Sequence, residues 1–168
     1  WSRQGKTELA RLVFQTIGLA DVSIAEPYFR MGEFGYLTNR DTGGSYVEHF
    51  QLAVSAPPLD SRDQAFKSMA FSRLCELAVR NDWTPREAEE YCRAAIESDP
   101  GTEPTQYYTP PAFLLLGEAL AEQGRFAEAA DAMAEAVARA PHHEFARQVE
   151  YTHALKVLEP QGLVPEAL

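Results

Sequence analysis

Between Pro111 and Ala140 the apolar positions recur at three- and four-residue steps, the spacing of one face of an α-helix. The first half, PAFLLLGEALAEQ, ends at Gly124. The second, FAEAADAMAEAVARA, runs up to Pro141. Ala, Leu and Glu dominate both halves, and all three favour the helix. A Gly between two such stretches and a Pro after the second predict a helical hairpin. In its second helix Phe126, Ala129, Met133, Ala136 and Val137 share one apolar face.

These residues carry a resemblance. Phe113, Leu116, Gly117 and Leu120, then Ala129 and Met133, then Pro141, fall at the spacing of the tetratricopeptide repeat, and Gly124, Phe126 and Ala136 fit the same pattern. The packing logic is plain: Gly117 and Ala129 are small where two helices cross, and bulky neighbours fill the space around them. Ala88, Cys92, Ala95 and Pro100 reproduce the second-helix spacing upstream, with Phe66, Met69 and Ala70 in matching order on the preceding helix. That helix runs from about Arg62 to Arg80, longer than the pattern, and Thr84-Pro85 with Glu87 marks the next helix start. Tyr28, Met31 and Gly32, then Phe50, Ala53 and Pro58, outline an earlier hairpin, with Tyr46 where a small residue is expected. Gly35 to Val54 also admits a β-hairpin around Asp-Thr-Gly-Gly. Gly5, Ala10 and Phe14 fit the turn and second helix of a repeat entered partway, with Trp1 near the end of its first helix.

The resemblance implies an all-α fold, a right-handed α-solenoid of tetratricopeptide-type hairpins with a C-terminal capping helix. Its helical repeat domain covers residues 1–158: a partial repeat over 1–22, repeats over 25–58, 62–100 and 110–141, and a capping helix over 143–158. Phe145, Val149, Thr152 and Leu155 form the cap's apolar face, and 159–168 is an irregular tail. Gly101 to Thr109 lengthens one junction by about seven residues and brings Tyr107 and Tyr108, which either pack over the groove or touch a partner.

Composition narrows the partners. A formal net charge of -10 disfavours a nucleic-acid backbone, which needs clustered Lys and Arg. Basic peptides or surfaces fit better, and the same balance also keeps a helical protein in solution. No apolar run spans a bilayer, so this segment is not expected to insert directly into a membrane. Cys75 and Cys92 lie in helical segments and read as small buried residues, not as a disulfide framework or a zinc site. Two unpaired thiols lean towards a reducing, cytoplasmic setting, although a periplasmic protein can carry them as well.

Motifs of catalytic appearance are better explained otherwise. Gly5-Lys6-Thr7 has the ending of a phosphate-binding loop, but no strand leads into it and the repeat register already accounts for Gly5. Asp41-Thr42-Gly43-Gly44 lacks the second aspartate that proton sharing needs. His142, His143, Glu144 and His153 read as solvated helix-start residues rather than metal ligands. The expectation is a non-enzyme without cofactor or metal.

In the tetratricopeptide family, first helices line a concave face on which extended peptides lie. The resemblance implies groove residues Phe29, Glu33, Tyr36 and Leu37, then Lys67, Phe71 and Leu74, then Leu114, Glu118, Ala121 and Glu122. Aromatics beside carboxylates imply an apolar, basic protein or peptide partner. The alternative is a structural or regulatory part of a larger envelope or secretion assembly, or self-association into a homo-oligomer through the incomplete N-terminal repeat.

Overall fold

Ser45, Asp60 and Thr84 each open a helix in the computed structural model, which describes Leu12, Thr16 and residues 25–38, 45–81, 83–103 and 105–163. Each cap side chain accepts a backbone N–H that the helix leaves unpaired. Ser45 with Glu48 and Thr84 with Glu87 form reciprocal capping boxes. The helices are α1 (Ala25–Thr38), α2 (Tyr46–Ser55), α3 (Ser61–Arg80), α4 (Pro85–Glu97), α5 (Thr109–Glu122), α6 (Phe126–Arg139) and α7 (His143–His153). A 3-10 turn, Thr105–Tyr107, precedes α5. The described residues contain no strand, and helices occupy 25–38 and 46–55, so the β-hairpin alternative for 35–54 is overturned. Trp1, Gly5, Ala10, Phe14 and Asp41 to Gly44 lie outside the described residues, and with them the partial first repeat, the self-association it suggested and the phosphate-loop ending.

Helices pack in consecutive pairs, α1 on α2, α3 on α4 and α5 on α6. The first helices also pack side by side, α1 on α3 and α3 on α5, while α2, α4 and α6 make no comparable contact with one another. A stack held together along one row of helices curves towards that row, so α1, α3 and α5 line its inner side. Asp63 ties two hairpins at their starts. Its buried carboxylate accepts the backbone N–H of Ala25 at 2.6 Å, of Glu26 at 3.3 Å and of Leu59 at 3.2 Å.

The chain closes with α7, a π turn over Ala154–Leu158 and a 3-10 turn over Glu159–Gln161, so the tail begins with a helical turn where irregular chain was expected. The π turn adds a residue to the helical repeat and moves the buried stripe along. Val149, Ala154 and Val157 are therefore buried, and Leu155 is 41% exposed instead of facing the core.

Candidate functional site

The register of the inner helices is set where each hairpin crosses. In the third, a Cβ on Gly117 would lie 2.6 Å from Met133 Cγ and 3.1 Å from the Ala129 carbonyl oxygen. In the first, a Cβ on Gly32 would lie 2.6 Å from the Phe50 ring. Glycine is needed at both places because the partner helix leaves no room for a side chain. The second hairpin solves the same approach covalently: Cys75 and Cys92 are joined in a disulfide, with Cα atoms 4.8 Å apart and both residues fully buried. This corrects the reading of two free thiols. It also removes the ground for favouring a reducing compartment, since disulfides persist in oxidising surroundings.

Cys75 therefore stands where the flanking hairpins have Gly32 and Gly117. Counting from these three residues puts Glu33, Glu76 and Glu118 at one equivalent position along the inner face. Arg73 serves the first two. Its guanidinium donates to Glu33 and, at 2.8 Å, to Glu76, while the Tyr36 and Tyr108 ring centroids each lie 5.1 Å away. Burial works against the Arg73 charge, yet the hydrogen bonds to Glu33 and Glu76 hold its pKa above the usual arginine range. Arg80 meets the other oxygen of Glu76 at 3.1 Å. The phenols of Tyr108 and Tyr36 are both pushed up, in each case chiefly by burial.

Tyr108 reaches this place because the inserted segment is pinned at its base. Asp99 accepts the Gly101 N–H at 2.8 Å and the Thr109 hydroxyl at 2.6 Å. Tyr108 then sets its ring edge-on to Phe29 at 6.1 Å and donates its hydroxyl to Glu33 at 3.4 Å. Tyr107, next to it, stays 72% exposed. Between this segment, α3, α5 and α7 lies a cavity of about 700 Å³. Ser72, Arg73, Glu76, Val79 and Arg80 wall it from α3, and Ala112, Leu114, Leu115 and Glu118 from α5. Tyr107 and Tyr108 border it on one side, and Phe145 and Gln148 of α7 on another. Polar and apolar side chains share its wall, and nothing in it resembles a nucleophile with its base. The described residues gather no group of three metal-ligating side chains. Among them, no helix is long and apolar enough to cross a membrane.

The tetratricopeptide repeat family model matches residues 110–143, which span α5, α6 and the start of α7. Residues 110–143 are thus similar to a tetratricopeptide repeat. A comparison with curated proteins finds no match to the chain. Tetratricopeptide repeats are protein-interaction modules, typically without catalytic activity, and protein partners are the general implication.

Relative to this repeat the residues expected at the groove divide sharply. Leu114 and Glu118, both on the repeat's first helix, line the cavity. Glu33 and Tyr36 reach its edge through Arg73. Tyr36 also meets Tyr46 edge-on at 5.8 Å, which is how this hairpin accommodates a large residue at Tyr46. Phe29 is buried among Phe50, Phe66 and Tyr108. Leu37 is exposed, Ala121 is buried, and Glu122 faces outward to Lys156 at 3.3 Å. On α3, Leu74 is core, Lys67 donates to the Ala56 carbonyl at 3.2 Å, and Phe71 lies off the cavity wall. Matching Ala70 to Gly117 had displaced this set; Cys75, five residues on, is the true counterpart. The residues missed are Ser72, Arg73, Glu76, Val79 and Arg80, with Leu115 and Phe145 opposite. A cysteine in each helix of one hairpin was the signal that could have found them.

Proposed function

We propose that the chain is a protein-binding scaffold whose inner groove holds a segment of a partner polypeptide. The observation that carries this reading is the cavity of about 700 Å³ running between α3, α5 and α7, with exposed Tyr107 at its border. It has the size of a small-ligand pocket but lies open along the inner helices, and it mixes ring faces, aliphatic surface and charge as peptide-recognising surfaces do. Arg73 is held by four groups of the chain itself, so it stiffens the wall instead of seeking a ligand charge. Preorganisation of this kind lowers the entropy lost on binding. Aromatic side chains at the border would provide most of the contact energy.

The test is capture from a lysate of the source cells by the wild-type chain and by Leu115→Trp, which fills the cavity from α5. Helical content measured alongside verifies that the variant folds. The proposal expects at least one protein held by the wild type and lost from Leu115→Trp. Identical retention by both would place the contact elsewhere on the solenoid, as the role of a structural spacer in a larger assembly requires.

A further inference from the structure

The inner face repeats one device and leaves its last copy unfinished. Glu33, Glu76 and Glu118 occupy equivalent positions on successive first helices. The first two carboxylates are met from within the chain, by Arg73 between them and by Arg80 on Glu76. At the third position, the residue equivalent to Arg73 is Leu115. Glu118 makes no hydrogen bond or ion pair with any described residue, although it is half-buried in the cavity wall. Arg80 and Lys156 act on it through space, but their contacts go to Glu76 at 3.1 Å and Glu122 at 3.3 Å. Burial holds the Glu118 carboxyl above its usual range, as expected where no cation touches it.

We propose that Glu118 selects the partner: it takes a lysine or arginine side chain of the bound segment, supplying from outside the cation that Arg73 supplies one hairpin earlier. This inference rests on the reading that the groove holds a polypeptide. The surroundings repeat as well. Arg73 lies between the rings of Tyr36 and Tyr108, and Tyr107 and Phe145 present rings to the same cavity as Glu118. Rings of this kind favour a cation, and Leu115 and Val79 offer aliphatic surface for its stem. Arg73 and Arg80 also border the cavity but are engaged by Glu33 and Glu76, which leaves Glu118 as the charge open to a ligand. On a chain of net charge -10, charge complementarity selects a basic, apolar-flanked segment.

A displayed library of random twelve-residue peptides, selected on the wild-type chain, supplies the probe. Chosen peptides are measured against wild type, Glu118→Gln and Leu115→Arg, and again with each basic residue changed to Gln. The expected result is a shared Lys or Arg whose loss weakens binding about tenfold, the same loss with Glu118→Gln, and no further loss when both are changed. Leu115→Arg, which completes the device internally, should weaken the same peptides at least as much. Peptides that need no basic residue, or that bind Glu118→Gln as well as wild type while losing affinity to Leu115→Arg, would overturn the role of Glu118 and leave the groove standing. Peptides indifferent to both variants, or a library yielding no binder, would overturn the groove reading and this inference together.

Discussion

Arg73 holds two carboxylates and stands between two rings, and its side chain is only 21% exposed. Removing the charge while keeping the bulk, as in Arg73→Met, leaves Glu33 and Glu76 facing one another in a half-buried setting. Loss of such charge-assisted bonds should cost ~2–3 kcal/mol, read from denaturant unfolding. Glu118 predicts the opposite sign. Its carboxyl is raised on folding, mainly by burial, so the native state binds that proton more tightly than the unfolded chain does. Stability from this group is complete below the unfolded pKa and falls as pH rises through the folded one. Glu118→Gln should therefore melt above the wild type at pH 7, with the difference vanishing below about pH 4. A constant difference across that range would mean that burial of the charge is not the cause.

The three hairpins solve one packing problem with different residues, which explains what the sequence made legible. The third hairpin could be recognised from Gly117, Ala129, Met133 and Pro141, because small residues at a crossing leave a spacing that can be counted. The first could be recognised through Gly32 and Phe50 for the same reason. The second could be recognised as a hairpin from Ala88, Cys92, Ala95 and Pro100. The register of its first helix could not, because α3 runs from Ser61 to Arg80 and offers two plausible registers five residues apart. Local pattern favours Ala70, and only the covalent pairing with Cys92 in the next helix selects Cys75. The candidate site inherited that error: Leu114 and Glu118 were legible as cavity residues, whereas Arg73 and Glu76 were not. Gly32→Ala should destabilise by about 1–3 kcal/mol despite the better helix propensity of Ala, since the new methyl strikes the buried Phe50 ring. Phe50→Leu in the same chain should recover part of that loss. The disulfide closes a separation of 17 residues and should contribute about 3 kcal/mol. Unfolding with and without reductant measures it. The pair Cys75→Gly with Cys92→Met copies the third hairpin's crossing and should retain more stability than Cys75→Ser with Cys92→Ser.

At the scale of the whole molecule, first helices in contact and second helices apart give a curved stack with a groove on its inner side. The inserted segment before α5 borders that groove with Tyr107 and Tyr108, and α7 closes its far end with Phe145 and Gln148. The scaffold reading stands or falls on whether a partner lies there. The most direct measurement places a photoreactive phenylalanine analogue at Tyr107, beside the groove, or at Leu52, which is 48% exposed on α2. Each chain is expressed in the source cells and irradiated, and its adducts are resolved by mass. The account predicts a defined protein adduct from position 107 and none of that mass from position 52. Adducts of the same protein from position 52 alone, or equally from both, would contradict the inner groove as the binding face.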